Sequence, residues 1–139
     1  MRVLFDTNVV LDVLLARPPH AAPAIELFDR VARRELDGLL SATTITTIFY
    51  LAAKAAGTAQ AKRHVNTLLG LFEIAAVGRS ALADALALGF GDYEDAVLHE
   101  AARHAGATAI VTRDPKGFAA AKLTVYSPAE LLRILQATQ

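Results

Sequence analysis

Cysteine is absent from this 139-residue chain, and long apolar runs are absent as well. Without cysteine the chain can form no disulfide and offers no thiolate ligand to a metal. The apolar runs are too short to span a bilayer and are interrupted by charges, and the N-terminus lacks the basic and apolar regions of a signal peptide. These absences predict a cytoplasmic protein with no membrane segment.

Acidic residues are missing from one long stretch of an otherwise neutral chain. The 14 acidic and 14 basic side chains balance, so net charge gives no indication of nucleic-acid binding. However, no Asp or Glu occurs from residue 38 to 72, while Lys54, Lys62 and Arg63 lie in that stretch. The pattern predicts either a local basic face or an ordinary solvated helix surface.

The chain does contain 54% hydrophobic residues, which is ample for one core, and its length predicts a single domain over residues 1–139. Short apolar segments predict five strands, and helical spacing of apolar residues predicts seven helices between them. Gly57 is expected to end the third helix and Thr58 to cap the fourth. The predicted strands are 3–5, 39–42, 73–77, 109–112 and 123–126, and the predicted helices are 8–16, 20–35, 43–56, 59–71, 80–88, 93–105 and 129–136.

Strands that alternate with helices are typical of an α/β fold with a parallel sheet covered on both faces. In such sheets, ligands bind outside the carboxyl ends of the strands. Asp6 directly follows the first strand and Asp114 lies just beyond the fourth, while Asp92, Glu94 and Asp95 begin the helix before the fourth strand. If the first and fourth strands are neighbours, these acids face one cleft.

Several carboxylates in one cleft repel each other unless some are protonated or a cation is bound. Oxygen ligands, with neither cysteine nor a paired-histidine motif, favour Mg²⁺ or Mn²⁺ over zinc. Such an ion can polarise a phosphodiester and acidify water, so the acids suggest metal-assisted phosphoryl chemistry.

Each acid also has a purely structural interpretation. Asp92 is a good N-cap, Glu94 and Asp95 complement a helix dipole, and Asp114 with the following proline suits a plain turn. Asp6 is harder to explain this way, because an acid at the end of a buried strand needs a partner or a cation.

Three segments, FDTNVVLDVLL, GDYEDAVLHEAA and AIVTRDPKGF, resemble a PIN domain in their order and spacing. The likeness extends over nearly the whole chain and is greatest to bacterial PIN proteins of the toxin-nuclease type, such as the VapC half of toxin–antitoxin pairs. The resemblance implies a three-layer α/β/α fold with sheet order 3-2-1-4-5. It also implies Mg²⁺- or Mn²⁺-dependent cleavage of RNA by an activated water, a homodimer, and a small cognate antitoxin that inhibits the enzyme.

Carried over by position, the resemblance implies catalytic and metal-binding roles for Asp6, Asp95 and Asp114. Asn8 matches an asparagine that commonly supports the first acid by hydrogen bonding. Thr112 matches a hydroxyl residue that often lies beside the last acid.

One position departs from the family pattern. Many PIN nucleases carry a glutamate early in the helix after the second strand, where this chain has Thr47. A threonine can offer a hydroxyl to a metal-bound water but no charge, so Asp92 is expected to assist as a further metal ligand. Ser41, at the end of the second strand, either faces the cleft or only caps the following helix.

Other polar residues near these motifs have two interpretations each. Arg113 and Lys116 flank Asp114 and either contact an RNA phosphate or belong to a solvated loop. His99 lies one helical turn after Asp95, and we expect a partly exposed helix residue there rather than a catalytic base.

Two alternatives to a metal-dependent ribonuclease stay open. The first is a catalytically weak or inactive PIN module that binds RNA or a protein partner, which Thr47 motivates. The second is a small phosphatase or phospho-receiver domain, which also places an Asp after its first strand. The second acid of such phosphatases is missing here, because that position is Asn8.

Overall fold

The structure is a computed structural model, and it describes residues 1–138. Within this range one five-stranded sheet has the order β3-β2-β1-β4-β5, and every neighbouring pair is parallel. The predicted order 3-2-1-4-5 is therefore confirmed, and β1 and β4 are neighbours at the centre. The strands are β1 (Arg2–Phe5), β2 (Asp37–Ser41), β3 (Glu73–Ala75), β4 (Ala109–Val111) and β5 (Thr124–Tyr126).

All seven predicted helices are present, with small shifts at their ends. None of the helices within residues 1–138 is both long enough and apolar enough to cross a membrane. A short 3-10 turn, Pro115–Phe118, follows β4. The helices are α1 (Thr7–Leu14), α2 (Ala21–Ala32), α3 (Ala42–Ala56), α4 (Thr58–Leu71), α5 (Arg79–Leu86), α6 (Tyr93–His104) and α7 (Pro128–Ala137).

Alternating side chains of the central strands produce the three layers. Val3 and Phe5 of β1 belong to a core on one face of the sheet, together with apolar residues of α1, α2, α3, α4 and α7. Leu4 belongs to a separate core on the other face, with Leu98 and Ala101 of α6. Because strand side chains alternate between faces, an entirely apolar strand requires helices on both sides. The expected α/β/α architecture is thus confirmed.

The strand bounds differ from the predicted ones by one or two residues, and two differences from the expectations have a clear physical reason. The residue that separates α3 from α4 is Gly57, with φ of +90°, and Thr58 is the first residue of α4 with no side-chain capping bond. A glycine adopts this backbone conformation without steric cost, so it replaces the predicted threonine cap. The third strand ends at Ala75 rather than at residue 77, because its partner β2 ends opposite it at Ser41.

Candidate metal and nuclease site

Asp6 lies at the carboxyl end of β1, where the strand ladder ends and α1 begins. Its backbone N–H donates to the Val111 carbonyl (2.9 Å), which continues the pairing with β4. One carboxylate oxygen, Oδ1, accepts from the Thr7 N–H (2.8 Å) as the N-cap of α1, and Oδ2 accepts from the Thr112 hydroxyl (2.8 Å). The residue is only 7% exposed. Burial raises the pKa of Asp6 despite these two hydrogen bonds, and the charges of Glu94 and Asp114 add to the increase.

Asp92 and Asp95 lie at the N-terminus of α6. Asp92 caps the helix, and its Oδ1 accepts from the Asp95 N–H (3.2 Å), so the capping interpretation is correct for this residue. Burial raises the pKa of Asp95 to about 7, and the charges of Asp6, Asp92, Asp114 and Glu94 contribute to the increase. Four other carboxylates therefore act on Asp95 at short range. The structure brings the predicted acids that follow β1, begin α6 and follow β4 close enough for their charges to act on one another at the carboxyl edge of the sheet, which we call the cleft.

Asp114 and Asp95 converge on a glycine. A Cβ atom built on Gly117, in the 3-10 turn, would lie 2.8 Å from Asp95 Oδ2 and 3.1 Å from Asp114 Oδ2. Asp95 Oδ2 and Asp114 Oδ2 are therefore separated by no more than the sum of these two distances. Gly117 leaves room for both carboxylates on the same side of the turn. Sequence reasoning did not identify this residue, although a glycine three positions after a predicted metal ligand was a usable signal.

Thr112 links the first acid to the third. Its buried hydroxyl donates to Asp6 Oδ2 and accepts from the Asp114 backbone N–H (2.9 Å). A single side chain thereby fixes the orientation of one carboxylate and the start of the loop that carries the other. This position agrees with the supporting role expected for Thr112.

Asn8 holds the loop after β4 rather than the first acid. Its Oδ1 accepts from the Arg113 backbone N–H (3.3 Å), and within residues 1–138 its side chain makes no hydrogen bond to Asp6. The support it gives to the site passes through the chain segment that carries Asp114.

The Arg113 guanidinium pairs with Asp12, a fully buried carboxylate of α1. Arg17 donates to the same carboxylate (3.0 Å). A buried charge requires such partners, so this pair anchors the loop to α1 and limits the Arg113 side chain as a phosphate contact. Lys116 is exposed. Asp12 was missed at the sequence level, although an acid within the apolar run NVVLDVLL should have indicated a buried partner.

The first turn of α3 borders the cleft with hydroxyl groups. Ser41 ends β2 and caps α3 by accepting from the Thr43 N–H (3.3 Å). The buried hydroxyl of Thr44 contacts that of Thr7, the residue after Asp6, at 3.1 Å. Thr47 is half-buried, and its hydroxyl donates to the Thr43 carbonyl (3.1 Å). The predicted residue Ser41 therefore acts as the cap of α3, and Thr47 lies one turn into the helix with its hydroxyl bonded to the helix backbone.

His99 is fully buried, so the expectation of a partly exposed residue was wrong. Its Nε2 accepts from the Lys122 N–H (3.0 Å) and, at 3.4 Å, from the Leu123 N–H. A nitrogen that accepts carries no proton, so the proton lies on Nδ1, which donates to Glu100 Oε2 (2.9 Å). His99 therefore joins α6 to the segment that leads into β5, and it does not face the cleft as a base.

A second group of possible ligands lies outside the cleft. Within residues 1–138, Asp84, Glu100 and His104 place their ligand atoms within 4.8 Å of one another. The Arg103 guanidinium already occupies this position, 3.0 Å from Glu100 Oε1 and 3.6 Å from Asp84 Oδ2. The hydrogen bond from Arg103 holds the pKa of Glu100 below its usual range. We interpret this group as a salt-bridge network.

The cleft acids fit a hard divalent cation by their chemistry. They offer oxygen atoms alone, and burial together with the charges of the neighbouring acids raises the pKa of Asp95, with no positive side chain among residues 1–138 contributing to lower it. Mg²⁺ keeps several water ligands and takes one or two carboxylates directly, so it does not require all three acids in its coordination shell.

Comparison with known proteins gave a family match and structural neighbours. A family model described as PIN domain matches residues 2–116. A comparison with curated protein sequences gave no match.

The structural neighbours include toxin–antitoxin proteins. DNA-bound VapBC from Salmonella typhimurium has a TM-score of 0.72 at 17% identity and covers 92% of this chain and 98% of that chain. A toxin–antitoxin complex from Klebsiella pneumoniae has a TM-score of 0.70 at 22% identity, and the match covers 91% of this chain and 97% of that chain. VapC20 from Mycobacterium tuberculosis, a sarcin-ricin loop cleaving toxin, has a TM-score of 0.63 at 14% identity, and the match covers 78% of this chain and 86% of that chain. At these identities the likeness shows a shared fold.

Proposed function

This chain belongs to the PIN domain family, and from that premise we propose that it is a divalent-cation-dependent endoribonuclease. The observation that carries the proposal is the convergence of Asp6, Asp95 and Asp114, drawn from three separate chain segments, on one cleft. A purely structural explanation accounts poorly for this arrangement, because Asp6 is buried and the pKa of two carboxylates is raised with no opposing charge contributed by the described residues 1–138.

Asp6, Asp95 and Asp114 would hold Mg²⁺ or Mn²⁺, with Asp92 assisting. Such an ion supplies positive charge that polarises a phosphodiester and acidifies water. Thr112 keeps the Asp6 carboxylate turned to the cleft, and Asn8 and Asp12 hold the segment that carries Asp114. Lys116 extends from the exposed turn beside Asp114 and is a candidate contact for an RNA phosphate, whereas the Arg113 guanidinium is engaged by Asp12.

We extend the proposal to a toxin that a small antitoxin inhibits. Its support is the fold shared with the VapBC proteins of Salmonella typhimurium and the toxin–antitoxin complex of Klebsiella pneumoniae. RNA as substrate is supported by the likeness to VapC20, whose structure is described as a sarcin-ricin loop cleaving toxin. A homodimer, a cytoplasmic location and a single domain over residues 1–139 are parts of the same proposal.

The direct test is RNA cleavage by the purified chain with Mg²⁺, with Mn²⁺, or with a chelator. We expect cleavage with either metal and none with the chelator. Asp6→Asn keeps an N-cap side chain but removes a charge, and we expect it to lower the rate by about 100-fold or more. Asp29→Asn, at an exposed acid of α2, is the matched control and should cut at the parent rate. If Asp6→Asn cuts RNA as fast as the parent, the assignment is wrong.

An inactive PIN module is the second candidate, because Thr47 removes one charge from the pattern common in the family. Calorimetric titration with Mn²⁺ distinguishes the metal-dependent nuclease from the inactive module. Failure to bind at millimolar Mn²⁺, together with absent cleavage, would favour the binding module.

A phosphatase or phospho-receiver is less consistent with the cleft. Such phosphatases carry a second acid two positions after the first, and here that residue is Asn8, whose side chain instead accepts a hydrogen bond from the Arg113 backbone N–H. Incorporation of a phosphate analogue at Asp6 would reverse this conclusion.

A further inference from the structure

One face of α3 carries a row of polar, aromatic and cationic side chains that is half-buried at its start and exposed at its end. Thr43, Thr47, Tyr50 and Lys54 follow one another at intervals of four, three and four, which places them on a single helical face. Tyr50 is 58% exposed, and Lys54 is exposed as well. Thr44, Ile48 and Ala52 form the adjoining buried face of the same helix. The row is therefore a surface that the fold itself does not need for its core.

The row starts beside the acidic cleft and runs away from it. Its first residue, Thr43, lies two positions after Ser41, which ends β2 at the same edge of the sheet as Asp6. The contact between the Thr44 and Thr7 hydroxyls fixes the first turn of α3 next to the start of α1. From Thr43 to Lys54 the helix axis advances about 16 Å. A flexible polymer that lies in the cleft can continue along this face.

Tyr50 and Lys54 form a pair suited to single-stranded nucleic acid. The Lys54 ammonium lies 4.8 Å from the centroid of the Tyr50 ring, and both groups are open to solvent. Proteins that bind single strands combine aromatic rings that stack on bases with cations that follow the backbone. An exposed aromatic ring one to two turns from the cleft, with an ammonium beside it, supplies both elements.

The distribution of charged side chains also favours single-stranded nucleic acid on this face. The cleft contains five acids, so it repels a polyanion before any cation is bound. Helix α3 itself contains no acid, and Lys54 is its one charged residue. Along this face of α3 a negatively charged backbone meets an ammonium and no carboxylate.

We propose that the row Thr43, Thr47, Tyr50 and Lys54 is the track along which single-stranded RNA leaves the cleft. The proposal rests on the function proposed above. It favours RNA over a protein partner because the centre of a protein interface is depleted in charge, whereas this row ends in a lysine.

The test measures binding of a fluorescein-labelled single-stranded RNA of about 16 nucleotides by anisotropy, in a chelator so that cleavage does not interfere. We expect Tyr50→Ala to weaken binding by about tenfold through lost stacking. Lys54→Ala should weaken binding and reduce the salt dependence by about 0.7 in the slope of log affinity against log salt. Lys62→Ala removes the same charge from α4, off the row, and is the matched control that should change affinity little.

The outcomes separate this inference from the proposed function. If the parent cuts RNA and Tyr50→Ala binds RNA as tightly as the parent, the track is wrong and the nuclease assignment stands. If the parent binds RNA without cutting it in Mn²⁺ and Tyr50→Ala weakens binding, the track stands and the nuclease assignment falls. Unchanged RNA affinity with a shift from dimer to monomer in Tyr50→Ala, measured by light scattering, would overturn the track and identify an interface between two copies.

Discussion

Replacing Gly117 with alanine tests the geometry of the cleft with a single methyl group. The backbone at Gly117 is not in the left-handed region, so alanine meets no conformational barrier there. The effect must therefore come from the space that the new Cβ occupies. That space faces the carboxylates of Asp95 and Asp114, which makes the substitution specific for the site.

The size of the perturbation follows from the distances. Ordinary contact begins near 3.4 Å, so a Cβ at 2.8 Å from Asp95 Oδ2 and 3.1 Å from Asp114 Oδ2 forces shifts of about 0.6 Å and about 0.3 Å. Both atoms are the far ends of side chains and can turn aside, so we expect the fold to be retained. Mg²⁺ demands near-ideal octahedral geometry, and functional groups must hold their positions within about 0.5 Å. We expect Mn²⁺ affinity to fall about tenfold and cleavage to fall about 10- to 100-fold.

Calorimetric Mn²⁺ titration and thermal melting of the metal-free protein measure the two effects separately. Gly70→Ala, at a position with nothing within 4 Å of the new Cβ, is the matched control and should leave Mn²⁺ affinity unchanged. If Gly117→Ala binds Mn²⁺ and cuts RNA as the parent does, these two carboxylates do not jointly hold the ion. A collapse of melting temperature in Gly117→Ala would show that the oxygens cannot turn aside.

Three further predictions concern the cleft and its support. His99→Leu leaves the Lys122 N–H without its acceptor, and urea unfolding should show a loss of about 1–3 kcal/mol; an unchanged midpoint would contradict the assigned role. The pKa of Asp95 is about 7 in the folded protein and 3.8 ordinarily, so between these pH values the folded state keeps a proton that the unfolded state has lost. The melting temperature of the metal-free protein should therefore fall as pH rises from about 4 through 7. A melting temperature that rises across this range, or Mn²⁺ binding at pH 6 without proton release, would contradict the raised pKa of Asp95. Thr47→Glu should strengthen Mn²⁺ binding and lower the melting temperature of the metal-free protein, and no change in Mn²⁺ affinity would show that this side chain does not reach the cleft.

Periodicity and strand chemistry predicted a parallel sheet covered on both faces, whereas the strand order 3-2-1-4-5 came from the resemblance to PIN domains. Apolar strands such as Val3–Phe5 fit only a sheet covered on both faces, and the acid after the strand marks the edge where ligands bind. The convergence of Asp6 and Asp114 followed from the same rule only if the first and fourth strands are neighbours, and that adjacency came from the resemblance. Local patterns therefore carried the information for the layers, and the strand order was needed to position the acids.

Local sequence patterns could not predict the contacts that hold the acidic segments in place. The Asp12–Arg113 pair joins residues 101 positions apart, and no spacing rule identifies such partners. His99 was misjudged for the same reason, because its burial depends on the backbone N–H groups of a segment 23 residues away. Gly117 is required by the position of two side chains rather than by its own backbone angles. Each of these roles arises from tertiary packing.

Anomalous diffraction from crystals soaked in Mn²⁺ tests the central claim most directly. The account predicts a manganese peak in the cleft, with oxygens of Asp6, Asp95 or Asp114 at about 2.0–2.3 Å and the remaining ligands supplied by water. The peak should disappear in Asp6→Asn crystals soaked in the same way. Millimolar Mn²⁺ with no peak in the cleft, or with the sole peak at Asp84, Glu100 and His104, would contradict it.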